Sequence, residues 1–152
     1  MVIHYLMESP VGPLSISCSE SEILSLRIVS DSLQKKQQSV LGNHAVSQLQ
    51  EYFAGTRTEF DLPIRLEGTP FQQAVWKELM KIPYGQTRTY GQIAAAIGKP
   101  KATRAVGSAC NRNPIWIIVP CHRVVGSNRN LTGYAGGLSM KQALLDLEQS
   151  HK

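Results

Sequence analysis

Polar and apolar positions alternate in short runs through the first part of the chain. Val2 to Met7, Leu14 to Cys18 and Ile23 to Val29 are brief, partly alternating and rich in β-branched residues. Ser-Pro-Val-Gly-Pro at 9–13 separates the first two as a turn does, so the pattern predicts a hairpin-rich sheet. The period then changes. In His-Ala-Val-Ser-Gln-Leu-Gln-Glu-Tyr-Phe-Ala-Gly at 44–55, the apolar residues Val46, Leu49, Tyr52 and Phe53 fall at helical spacing, and Gly55 closes the helix. Phe-Asp-Leu-Pro-Ile-Arg-Leu at 60–66 reads as one more edge strand, because Pro63 has no N–H for a central ladder.

From Thr69 onward the spacing is helical. Thr69 caps a helix whose first turn accepts Pro70, with Phe71, Val75, Leu79 and Ile82 on one face and Pro83 to Gly85 as its end. A short helix follows, capped by Thr89 and stopped before Gly98, and helical spacing resumes at Ala102. Two short helices across a tight turn form a helix-turn-helix candidate. A last helix is expected from about Leu138. The fold class is therefore α+β: a small amino-terminal β-sheet lobe with a helix at 1–68, then a mainly helical carboxy-terminal domain at 69–152.

Composition narrows the classes. A chain of 152 residues, 42% hydrophobic, buries a normal core as one unit or two small lobes. Its start has none of the marks of a secretory signal and no run reaches the length of a membrane span, so a cytoplasmic protein with no membrane partner is the expectation. Cys18, Cys110 and Cys121 are odd in number and form no C-x-x-C pair, which argues against a disulfide framework or a zinc ribbon. His4, Cys18 and His44 are too scattered to make a ligand set, and neither metal nor cofactor is expected. The net charge of +5 is unevenly spread. Residues 1–68 hold five Lys/Arg against eight Asp/Glu, and 69–152 hold eleven against three. The second part thus suits a polyanion, or carries an ordinary solvated basic surface.

Two stretches carry candidate chemistry. Around Ala102, Ala105, Gly107, Ser108 and Ala109 the second short helix is thin, with Arg104 as its one long side chain. Such a helix fits a narrow groove, or simply lets two helices approach closely. Further on, Asn-Pro-Ile-Trp-Ile-Ile-Val-Pro-Cys-His-Arg-Val-Val at 113–125 carries a thiol beside two bases into an apolar run. A cysteine is nucleophilic as the thiolate, and adjacent cations favour that form. Neighbours in a strand point to opposite faces, so a turn after Pro120 is needed to bring both bases to one pocket. Glu148, reaching His122, would complete a nucleophile, base and orienter. Cys121 as an inert buried thiol and Glu148 as an exposed helix residue are the competing readings.

Arg-Ala-Val-Gly-Ser-Ala-Cys-Asn-Arg-Asn-Pro at 104–114, Pro-Cys-His-Arg-Val-Val at 120–125 and Gly-Tyr-Ala-Gly-Gly-Leu-Ser-Met-Lys-Gln-Ala-Leu-Leu-Asp-Leu-Glu at 133–148 together closely resemble the O6-alkylguanine-DNA alkyltransferases. The likeness covers about Thr69 to Glu148. It implies double-stranded DNA carrying O6-alkylguanine or O4-alkylthymine as partner and substrate, base flipping, and irreversible transfer of the alkyl group to Cys121. It also implies a monomer in the absence of DNA. By the same resemblance His122 and Glu148 remove the thiol proton through a bound water, Asn113 braces the turn, and Tyr134 hydrogen-bonds the departing base, with Val124 and Gly136 beside it in the substrate pocket. Tyr90 is expected to press on the target phosphate and Arg104 to replace the extruded nucleotide. The groove helix spans Ala102, Thr103, Arg104, Ala105, Gly107, Ser108 and Arg112. Cys110 and Thr103 depart from the family pattern, which leaves open a second reactive thiol and an altered fit to the groove. A lesion-binding relative without transfer, and a Cys/His/Glu hydrolase unrelated to DNA, are the alternatives.

Overall fold

The computed structural model describes residues 2–29, 39–128 and 133–152. Val29 ends the first described stretch, and residues 129–132, just before the Gly-Tyr-Ala-Gly-Gly stretch, lie outside the described residues. The chain divides into two compact units, Met1–Leu66 with Pro114–Trp116 and His151, and Glu67–Asn113 with Ile117–Ser150 and Lys152.

In the first unit, β1 (Ile3–Met7), β2 (Leu14–Cys18) and β3 (Ile23–Ile28) form an antiparallel sheet in that order. The register pairs Tyr5 with Ile16 and Ile16 with Leu26, so one face collects the apolar side chains. A register shift at Ser17/Cys18 marks a bulge. Helix α1 (Val40–Phe53) begins six residues before Val46, the first of the apolar positions, because Ser39 accepts from the Gly42 N–H as its N-cap. It ends in a Schellman turn, with Thr56 N–H donating to Glu51 C=O and Gly55 at φ +80°. Leu14, Ile16, Ile23, Leu26, Ala45, Leu49 and Tyr52 make the core.

Two details differ from expectation. The 60–66 segment is not a strand: Ile64 makes a single parallel bridge to Ile23, flanked by bonds from Ile23 N–H to Pro63 C=O and from Arg65 N–H to Ile23 C=O. Ile115 makes a second bridge, to Leu26, so Pro114–Trp116 completes this unit although it lies in the middle of the 113–125 stretch.

In the second unit, α2 (Pro70–Leu79) starts with a full capping box between Thr69 and Gln72. It stops before Ile82, which is buried in the turn beyond. The two-residue strand β4 (Arg88–Thr89) pairs in parallel with β5 (Val124–Val125), a ladder too short to leave a periodic signal. Helix α3 (Tyr90–Ala96) opens on a second capping box, Thr89 with Gln92, and closes in a Schellman turn through Gly98 at φ +77°. Helix α4 (Thr103–Asn111) follows, and Trp76 Nε1 donates to the Ala109 carbonyl at 2.9 Å, tying α2 to α4. Helix α5 (Leu138–His151) buries Met140, Lys141, Leu144 and Glu148.

Candidate active site

The site is built where α4 ends and the chain turns back on itself. Ile117 adopts φ +71°, a left-handed conformation costly for a β-branched residue, by about 1–3 kcal/mol. It is held there by burial, and the reversal brings the Val119 carbonyl back to Asn113. Asn113 is 3% exposed, and its side-chain amide donates to Val119 C=O at 2.9 Å and to Cys121 Sγ at 3.3 Å. Pro120 then initiates a single 3₁₀ turn, Cys121–Arg123. This is the turn needed to redirect the three polar residues away from strand geometry.

His122 and Arg123 converge on one carboxylate. Glu148 accepts from His122 Nε2 at 2.7 Å, from Arg123 Nε and Nη2 at 2.8 and 3.0 Å, and from the Gly85 N–H at 3.2 Å. Arg123 Nη1 also donates to the Ile82 carbonyl at 2.7 Å, and its guanidinium lies 5.7 Å from the Tyr84 ring centroid. Burial pushes the Glu148 carboxyl up, but the bonds and charges of His122 and Arg123 outweigh it and hold the group well below the usual carboxylate range. Glu148 is therefore an anion, which can only accept, so Nε2 of His122 carries the proton and Nδ1 keeps a lone pair. Nδ1 is buried and has no partner among the described residues. Burial draws the pKa of His122 below the usual histidine value, against the pull of Glu148 and with help from Arg123 and Lys141, so the imidazole rests neutral.

The sulfur has different neighbours from those its sequence neighbours suggest. Cys121 is 5% exposed, and burial pushes its thiol up to about 11, against the lowering effects of Asn113, Lys141, its own backbone N–H and Tyr134. Adjacency of His122 and Arg123 in sequence thus does not leave the thiol ionised at rest. Arg123 is occupied by Glu148, and desolvation outweighs the remaining favourable contacts. The Tyr134 hydroxyl interacts with the same sulfur, and burial together with Cys121 raises its own value.

The other predicted residues lie elsewhere in the unit. Thr103, Arg104, Ala105, Ser108 and Arg112 are exposed and Ala102 and Gly107 half-buried on α4, while Val106, Ala109 and Cys110 form its buried face. Tyr90 opens α3, with its hydroxyl donating to Gly133 C=O at 3.4 Å. Val124 is buried in β5, and Gly136 is half-buried in the turn before α5. His4 pairs with Ser17 at 2.9 Å, and Cys18 lies 3.6 Å from the Ser39 hydroxyl. Among the described residues no group of three His, Cys, Asp or Glu gathers to hold a metal, and no helix is long and apolar enough to cross a membrane.

Reading the sequence missed the partnership of Arg123 and Gly85 with Glu148, and the burial of Lys141. Lys141 had a signal: it stands three residues before Leu144 and seven before Glu148, on the stripe of α5 that faces inward.

Comparison with known proteins fits this geometry. Family models match residues 2–66 (6-O-methylguanine DNA methyltransferase, ribonuclease-like domain) and 70–150 (6-O-methylguanine DNA methyltransferase, DNA binding domain). The methylated-DNA–protein-cysteine methyltransferase of Mycobacterium tuberculosis is 50% identical over 155 residues, covering 98% of this chain and 94% of its own. The crystal structure of M. tuberculosis O6-methylguanine methyltransferase superposes with a TM-score of 0.91 at 48% identity, over 100% of this chain and 95% of that one. M. tuberculosis OGT in complex with DNA superposes at 0.88 and 50% identity, over 97% and 93%.

Proposed function

Because this chain belongs to the 6-O-methylguanine DNA methyltransferase family, we propose that it repairs alkylated duplex DNA by moving the alkyl group from guanine O6 to Cys121, once per molecule. O4-alkylthymine is the second substrate in this reading. The working division of labour is an amino-terminal lobe at 1–68 and a DNA-binding and methyl-acceptor domain at 69–152.

The methyl carbon on O6 lies inside a base stack, where a sulfur cannot attack in line. The nucleotide has to be swung out, at a few kcal/mol of unstacking. Helix α4 suits this extrusion. Its exposed face is small along Ala105 and Ser108, with Arg104 as the long side chain of its first turn, so it can enter a groove while the guanidinium takes the vacated place in the stack. Tyr90 presses on the target phosphate, and Arg112 and the exposed Ser108 and Thr103 contact backbone. In the pocket the Cys121 thiol proton passes through a water to His122 Nδ1, and the imidazolium so formed is stabilised by Glu148, already fixed by Arg123 and Gly85. The S–C bond forms as the O6–C bond breaks, and the electron pair goes to the purine. Tyr134 hydrogen-bonds the developing anion, which finally takes up one proton in balance with the one the sulfur released. The product is a thioether, and no group present reverses it.

The observation that carries the reading is the arrangement around Glu148, which leaves one buried imidazole nitrogen basic in the turn that also holds the thiol. The test is incubation with a methylated duplex. One methyl mass is expected on the peptide bearing Cys121, and Cys121→Ala should retain duplex binding and lose transfer. Lesions left intact after prolonged incubation with the wild type would leave a lesion-binding role instead. Chain and DNA are expected to meet as a monomer on a duplex with nonspecific affinity of roughly 10⁻⁴ to 10⁻⁶ M, strongly salt-dependent, and selectivity arises at extrusion and transfer.

A further inference from the structure

Three groups of one turn meet Arg123 and Glu148, the charged residues that surround the imidazole. The turn is Ile-Pro-Tyr-Gly at 82–85, closed by the Gln86 N–H donating to the Pro83 carbonyl at 3.1 Å, and Gly85 is buried there at φ +75°, in the left-handed region. The Ile82 carbonyl accepts from Arg123 Nη1 at 2.7 Å, and the Tyr84 ring centroid lies 5.7 Å from the same guanidinium. Gly85 then serves two consecutive residues of α5. Its N–H donates to Glu148 Oε1 at 3.2 Å, and its carbonyl accepts from Gln149 Nε2 at 2.8 Å. A Cβ on Gly85 would stand 3.0 Å from Lys152 Cδ and 3.6 Å from the Glu148 carbonyl oxygen, so the turn sits tight against the end of α5. Beyond it the chain enters β4, where Arg88 pairs with Val124, the residue after Arg123.

Neither Tyr84 nor Gln149 touches a reacting atom. The geometry points to both as positioning residues of the proton relay: Tyr84 fixes the Arg123 guanidinium, Gln149 locks Gly85 to α5, and together they hold the Glu148 carboxylate where His122 Nε2 donates to it. This inference rests on the proposed methyl transfer and adds what keeps its base poised. The need for such a hold follows from how the carboxylate is shared. Oε2 accepts from both His122 Nε2 and Arg123 Nη2, and Oε1 from both Arg123 Nε and the Gly85 N–H. A guanidinium or helix end free to shift would carry the carboxylate with its two-pronged arginine partner and lengthen the 2.7 Å bond to the imidazole. The charged and titratable groups facing the relay are His122 and Arg123 from the 3₁₀ turn, Tyr84 from this turn, and Lys141 and Glu148 from α5, with Lys152 against Gly85.

Two readouts on the full chain separate positioning from packing. One is the ¹H and ¹⁵N resonances of His122 Nε2–H in the resting protein, which a short bond to a carboxylate shifts downfield. The other is single-turnover transfer from a methylated duplex between about pH 6 and about pH 10, read as methyl mass on the Cys121 peptide. Gln149→Met keeps the length of an exposed side chain and removes its donor, Tyr84→Leu removes the ring face, and Tyr84→Phe keeps it. Gln149→Met and Tyr84→Leu should each move the Nε2 proton upfield. Transfer at neutral pH should slow about threefold in the first and about fivefold in the second. Both deficits should shrink as rising pH ionises the thiol without help from His122, and Tyr84→Phe should restore the wild-type resonance and rate. A resonance unmoved in either variant overturns the role given to that residue, and Tyr84→Phe as slow as Tyr84→Leu overturns the part given to the ring. A deficit of equal size at every pH marks packing alone and overturns the inference. If Tyr84→Leu does not fold, Gln149→Met decides by the same two readouts. Absence of methyl on wild-type Cys121 removes the parent reading, whereas the resonance, read in the resting protein, holds or fails without it.

Discussion

The two units solve burial in opposite ways. Around β1, β2, β3 and α1 the buried side chains are aliphatic or aromatic apart from the thiol of Cys18, whereas Asn113, His122, Arg123, Lys141 and Glu148, the buried polar and charged residues among those described, all lie in the second unit. Apolar burial stabilises by about 25 cal/mol per Å² and asks only for shape and volume. Burying an ion pair gains little net stability, since desolvation offsets much of the Coulomb attraction, yet removing one partner is expensive. A core of the second kind is kept for what it does. Its members should therefore couple stability to transfer, and members of the first should affect stability alone.

Glu148→Gln tests this hardest. It leaves the Arg123 guanidinium buried without its carboxylate and His122 without the anion that sets its tautomer. Transfer should fall by about 10² or more and stability by about 3–5 kcal/mol, read by single-turnover kinetics and a urea melt. Leu49→Ala, in the apolar core, should lose about 2–5 kcal/mol while the folded fraction transfers at the wild-type rate. Equal slowing by both would erase the distinction. Within the second unit, Arg104→Ala should change stability by less than about 0.5 kcal/mol, since the side chain is exposed, and slow transfer about tenfold if, as proposed, it enters when a base leaves the stack.

The polar core should also make stability depend on pH, on both flanks. Glu148 is held below its unfolded value, so its contribution is complete above about pH 4.3 and is lost as the pH falls through its depressed folded value. The lowered His122 adds to the same flank, its contribution complete above about pH 6.5 and lost on further acidification. Cys121 and Cys110 are raised, so theirs is complete below about pH 8.5 and lost as the pH climbs towards about 11 and about 12. Urea melts across this range should narrow from both sides, and Glu148→Gln should flatten the acid limb. An acid limb unchanged by that substitution would show that the carboxylate is not its source.

The same division explains what could be read in advance. Strands β1, β2 and β3 and the amphipathic face of α1 announce themselves because an apolar core needs a period, and Thr69, Thr89, Gly55 and Gly98 mark helix ends through local chemistry. Family likeness, through Pro-Cys-His-Arg-Val and Gly-Tyr-Ala-Gly-Gly, supplied candidates for the site, and spacing alone left their roles open. Partners distant in sequence were invisible: Arg123 reaches Glu148 across 25 residues, Gly85 across 63, and Lys141 reaches Tyr90 across 51. Neither did any pattern betray Ile117 at positive φ, or the passage of Pro114–Trp116 into the first unit, since both follow from how the chain closes rather than from any local preference.

The smallest expected effect bears on the second thiol, and it separates burial from activation. Cys110 and Cys121 are 6% and 5% exposed, and both lie in the field of Lys141. Burial raises both, to about 12 and about 11, but only Cys121 has the Asn113 amide as a hydrogen-bond donor, at 3.3 Å, and the interaction with the Tyr134 hydroxyl to lower it again. Cys121 is raised less than Cys110, so it holds the larger share of thiolate at neutral pH. Ionisation of Cys121 first then raises Cys110 further, so the pair acts as one acceptor. Cys110→Ala should thus change the transfer rate by less than about twofold and cost about 1 kcal/mol of stability for the lost packing. Trypsin cuts after Arg112 and places the two cysteines on separate peptides, so the same digest shows where the methyl group goes. A methyl mass on the Cys110 peptide, or a rate reduced tenfold, would mean that the donors around Cys121 are not what distinguishes it.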